Sequence, residues 1–79
     1  MNMPRPLLSE AEAMSRKGYV PALEVARRLS RGKKTIYDWI RGGKVRAVRI
    51  GYRRYVLWQS VLDYYESTDP AALKLLGLR

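Results

Sequence analysis

The chain has 79 residues, of which 47% are apolar and 29% charged, enough for one small folded domain but too short for a second, catalytic one. Sixteen Lys and Arg oppose seven Asp and Glu, a net charge of +9 that seeks a polyanionic partner. With no Cys and no His, disulfides, Cys- or His-based metal sites and imidazole bases are excluded; no cofactor or metal is expected, and no apolar run reaches leader or membrane-spanning length.

Met1 to Pro6 reads as a mobile arm. Ser9-Glu10-Ala11-Glu12 then reads as a capping box opening a short helix to about Lys17, with Gly18 closing it in a left-handed conformation. Tyr19-Val20-Pro21 is extended, because a residue before proline is pushed from helical angles, and Pro21 is placed to open the next helix. Ala22, Val25, Ala26 and Leu29 keep the rhythm of one buried helical stripe. After the tight turn Ser30-Arg31-Gly32, helical spacing resumes from Lys33 to Arg41 with Ile36 and Ile40 inward, and Gly42-Gly43 stops it.

Val45 to Ile50 alternates as a half-solvated strand. Gly51-Tyr52-Arg53-Arg54 is the expected turn and Tyr55-Val56-Leu57 the returning strand of a two-stranded hairpin. Trp58, Val61, Leu62 and Tyr65 mark a third core helix to about Glu66. Asp69 is then the expected cap and Pro70 the first residue of a short terminal helix closed by Gly77. Trp39, Trp58 and Tyr65 are read as core, whereas Leu73, Leu75, Leu76 and Leu78 either fold back on the same core or meet a second subunit. The expected fold class is mainly α with a small β-hairpin, divided as an arm and short helix over 1–18, a winged helix-turn-helix over 19–66 and a terminal helix over 67–79.

The placement of charge is more informative than its total. Eleven cations lie between Arg27 and Arg54, opposed only by Asp38, so the middle of the chain carries the field. Burying Ile36 and Ile40 leaves Lys33, Lys34, Tyr37, Asp38 and Arg41 outside on a helix of the right width for the major groove of DNA. Two lysines at the helix start oppose its macrodipole, by about 0.3 to 1 kcal/mol each, unless an anion is bound there. Arg49, Tyr52, Arg53 and Arg54 surround the hairpin turn, where guanidinium groups reach phosphates or a narrow minor groove, and Arg31 and Lys44 are further cations for the DNA backbone. Asp38 either reads a cytosine amino group or orients Lys34 or Arg41.

The sequence resembles a known family in Tyr19-Val20, Glu24-Val25-Ala26-Arg27-Arg28-Leu29, Thr35-Ile36-Tyr37-Asp38-Trp39-Ile40, Gly43 to Gly51, Arg53-Arg54-Tyr55 and Leu62. It looks like the excisionase or MerR-like winged helix-turn-helix domain, over about Tyr19 to Tyr65. The resemblance implies a small double-stranded-DNA-binding protein whose second helix enters the major groove and whose wing touches backbone or minor groove. It assigns Lys34, Thr35, Tyr37, Asp38 and Arg41 to the recognition helix, with Tyr37 on a phosphate, and Arg49, Arg53 and Arg54 to the wing. Pro21, Arg31 and Gly32 depart from the family pattern, which has a Ser or Thr cap, a small aliphatic turn residue and a Ser cap there.

By the same resemblance, excisionase-like proteins bind cooperatively at adjacent sites, bend DNA and work with a recombinase. MerR-type regulators dimerise through a long coiled coil, and no such heptad run follows the wing here. The expected roles are recombination directionality, small-scale transcription regulation or, as in a phage small terminase subunit, DNA packaging, with self-association on adjacent sites and a cytoplasmic, nucleoid-associated location. A basic membrane-surface module and a protein-interaction adaptor are the alternatives. Catalysis is not expected, because the carboxylates are scattered and the glycines serve stops and turns.

Overall fold

The computed structural model describes residues 6–78, so the arm expected at the N-terminus lies outside the described residues except for Pro6. The elements run α1 (Pro6–Arg16), β1 (Tyr19–Pro21), α2 (Ala22–Leu29), α3 (Lys33–Arg41), β2 (Ala47–Ile50), β3 (Arg53–Leu57), α4 (Trp58–Thr68) and α5 (Pro70–Leu75). Helix α1 starts at Pro6 rather than at a Ser9 cap. Proline suits a first helical position, where its missing N–H has no intrahelical acceptor, so the expected capping box falls inside the helix. Gly18 closes α1 at φ 86, as expected.

Helix α2 buries Ala22, Val25, Ala26 and Leu29, the four positions its apolar rhythm predicts. Pro21 stands just outside it as the flanking residue, at φ −55 and ψ 141, rather than as its first residue. The helix ends on Ser30 in the left-handed region at φ 55, where Arg31 N–H donates to the Ala26 carbonyl at 2.9 Å and Ser30 N–H to that of Arg27 at 3.2 Å. Gly32 then caps α3 in extended backbone, and Ile36 at 0% exposure pins α3 to the core.

The sheet has three antiparallel strands in the order β1-β3-β2, not the two expected. Tyr19, Val20 and Pro21 pair with Leu57, Val56 and Tyr55. Tyr19–Pro21 is extended as expected, but partners 34 to 38 residues away leave no local sequence signal. The hairpin turn is also tighter than expected. Ile50 pairs with Arg53 and Arg49 with Arg54, so only Gly51 and Tyr52 form the turn and both arginines belong to β3. Gly51 at φ 62 supplies the positive φ that a two-residue hairpin needs at its first position.

Helix α4 runs two residues past the expected end and buries Val61, Leu62 and Tyr65. Its first residue is tied back across the molecule, with Trp58 N–H donating to the Gly18 carbonyl at 2.9 Å. Helix α5 opens on Pro70 as expected, but the Asp69 side chain makes no cap hydrogen bond; its backbone carbonyl accepts from Ala72 N–H at 3.0 Å instead. Leu73 is buried in the common core and Leu76 and Leu78 pack against it, so the terminal leucines fold back, apart from Leu75, which is 85% exposed.

Candidate nucleic-acid interface

Helices α2 and α3, joined by Ser30-Arg31-Gly32 and followed by the β2–β3 hairpin, form a helix-turn-helix with a wing. Because Ile36 is the buried side of α3, Lys33, Lys34, Asp38 and Arg41 are exposed on the other side, with Thr35 and Tyr37 half-buried at its edge. Asp38 Oδ1 lies 3.2 Å from Arg41 Nη2, which puts the carboxylate where it orients that guanidinium. Lys33 and Lys34 make no ion pair among the described residues, so both lysines at the N-terminus of α3 stand uncompensated.

Antiparallel partners share a face of a sheet, and the register therefore sorts the wing. Arg49 and Arg54 lie on the face that carries Ala47 and the fully buried Val56, the face turned toward the core and α3. The Leu57 N–H donates to the Arg46 carbonyl at 2.8 Å, and counting outward from that bonded pair makes Arg49–Arg54 a non-hydrogen-bonded pair, whose side chains stand close. Like charges directly opposite one another destabilise a hairpin. Arg54 escapes sideways, its guanidinium carbon lying 5.1 Å from the centre of the Tyr37 ring, and this contact joins wing to α3. Arg49 Nε donates to the Gly51 carbonyl at 3.0 Å, bracing the turn. A groove of about 270 Å³ lined by Tyr37, Ile40, Arg41 and Arg54 runs between the two elements.

Arg53 leaves β3 on the other side from Arg54, although both line a second cleft with Tyr37, Tyr52 and Tyr55. It shares the opposite face of β3 with Tyr55, under α1, and its Nη1 lies 3.7 Å from Glu10 Oε1. Tyr52 at the tip is 95% exposed, and Arg31 and Lys44 are exposed on the two loops flanking α3. Glu10 and the sheet contact of α1 were missed from sequence, since nothing local relates a carboxylate at position 10 to a strand at 53–57.

The sequence model of the family described as helix-turn-helix domain matches residues 24–69, more than half of the chain. The chain belongs to the helix-turn-helix domain family. No curated protein and no solved structure matches it. Membership points to double-stranded DNA as the partner, and in this helix-turn-helix protein the matched span runs from the third residue of α2 to the end of α4, taking in α3 and the whole hairpin. Helix α1 and strand β1 lie before it. Among the described residues, no group of three or more Asp or Glu could hold a metal ion, and no helix is long and apolar enough to cross a membrane.

Proposed function

We propose that the protein binds double-stranded DNA sequence-specifically, with α3 in the major groove and the wing on the backbone or in the minor groove. The observation that carries this reading is the Arg54–Tyr37 contact, because it joins the cations of α3 and the inner wing face into one continuous positive surface. Lys33 and Lys34 at a helix start, and Arg49 against Arg54, are both arrangements that repel internally and become favourable once phosphates lie among them. Lys34 and Arg41 supply base contacts, while Tyr37, Arg49, Arg54, Arg31 and Lys44 hold the backbone.

In the cell this reading makes the protein a cytoplasmic, nucleoid-associated binder rather than an enzyme: an excisionase-like directionality factor acting beside a recombinase, or a small transcription regulator. Either role uses cooperative occupation of adjacent sites, since one domain with about six to eight phosphate contacts binds nonspecifically only in the range ~10⁻⁴ to 10⁻⁶ M. Selection of bound duplexes from a random pool tests the reading. A recovered motif, with repeats at a fixed spacing, is expected. Replacing Lys34 by Ala relaxes preference at one base pair by about 1 to 3 kcal/mol, whereas Arg54→Ala weakens all duplexes alike. Recovery of no motif, with tighter binding to anionic vesicles than to any duplex, would overturn it in favour of a membrane-surface module.

A further inference from the structure

Glu10 is the one carboxylate that reaches the wing among the described residues, and it is held on two sides. Its Oε2 accepts the Tyr55 hydroxyl at 2.7 Å and its Oε1 faces Arg53 at 3.7 Å. Tyr55 cannot swing away, because its ring is buried at 2% exposure. Glu10 is carried on α1 by packing. Met14, one helical turn on and on the same side, is itself buried. Exposed ion pairs between two free side chains contribute little, since both must be ordered to meet. Here the carboxylate is already fixed by the phenol, so Arg53 meets a standing counter-charge.

We infer that Glu10 is a positioning residue of the DNA interface: it neutralises Arg53 and keeps it on the α1 side of the wing, so that Arg49 and Arg54 alone among the wing arginines take phosphates. This rests on the reading of the protein as a DNA binder, and it removes Arg53 from the phosphate contacts that the sequence pattern assigns to it. A cation with an internal counter-charge releases no counterion when DNA arrives, so it adds nothing to the salt dependence of binding.

The test is the slope of log K against log salt on a random-sequence duplex, measured for the intact chain and four variants, each checked for folding by thermal unfolding. Arg54→Gln is expected to lower the slope by about one. Arg53→Gln leaves it unchanged. Glu10→Gln, whose amide oxygen still accepts from Tyr55, releases Arg53 and steepens the slope by about one, so that affinity drops about three- to fourfold more than in the unaltered protein between 50 and 200 mM salt. Adding Arg53→Gln to Glu10→Gln restores the original slope. A purely structural Glu10 would shift the unfolding temperature and leave the slope alone. The inference is overturned if Arg53→Gln alone lowers the slope by about one, or if Glu10→Gln does not steepen it, while Arg54→Gln behaves as expected. Absence of any salt-dependent duplex binding by the unaltered chain would overturn the DNA reading together with it.

Discussion

Ser30 shows how a single residue bears backbone strain for the sake of a turn. Its φ of 55 lies where a side chain other than glycine is disfavoured, yet the two hydrogen bonds that end α2 require that conformation. Ser30→Gly is therefore expected to stabilise the domain by about 0.5 to 1 kcal/mol, seen as a rise of a few degrees in unfolding temperature. Tyr55 gives a second residue-scale expectation. Burial, reinforced by the hydrogen bond to Glu10 and its negative charge and only partly opposed by Arg53, pushes the phenol above its usual value near 10. The folded state thus keeps this proton when the unfolded chain has lost it. The associated stability is complete below about pH 10 and falls as pH rises through the folded value. Unfolding temperatures of Tyr55→Phe and the parent, compared between pH 8 and 11, should show the parent losing stability the more steeply. At this scale the exposed lysines and Asp38 were legible in the sequence. The partners of Arg53, Arg54 and Tyr37 were not, because each contact joins segments brought together only by the sheet register.

Among the elements, α3 combines a firm seat with an unfavourable start. Ile36 is fully buried, and Ile36→Ala is expected to destabilise the protein by about 2 to 5 kcal/mol in denaturant titration. Lys33→Ala should do the opposite to the free protein, stabilising it by about 0.3 to 1 kcal/mol through the helix dipole, while weakening its binding to DNA. A loss of both stability and binding would show that Lys33 has a structural partner after all. The helices α2, α3 and α4 were readable from apolar spacing alone because each buries one stripe at a 3.6-residue period. Strands this short carry no comparable signal. Gly51 marked the hairpin, but the placement of Arg53 and Arg54 in β3 follows from a two-residue turn that the sequence alone could equally extend to four.

For the whole molecule, the arrangement predicts strong sensitivity to ionic strength. With Arg31, Lys33, Lys44, Arg49 and Arg54 on phosphates, log K should fall with log salt at a slope of about −4 to −5, and a slope near −1 would contradict a surface running from α3 to the wing. The centre of that surface was legible in the clustering of eleven cations between Arg27 and Arg54, a property of composition that survives any detail of folding. Its outline was not, since the face on which each wing arginine emerges depends on which strands pair.

Strand β1 ends before the family match begins at residue 24, yet it hydrogen-bonds to the central strand of the sheet and its neighbour Gly18 accepts a bond from the start of α4. The boundaries of evolutionary likeness and of mechanical completeness therefore differ. A fragment trimmed to 24–69 would leave β3 with a bare flank at Val56 and Leu57, inviting aggregation, and would also discard Ala22 and Leu73 from the interior. The smallest autonomous unit of this chain is wider than its recognisable motif.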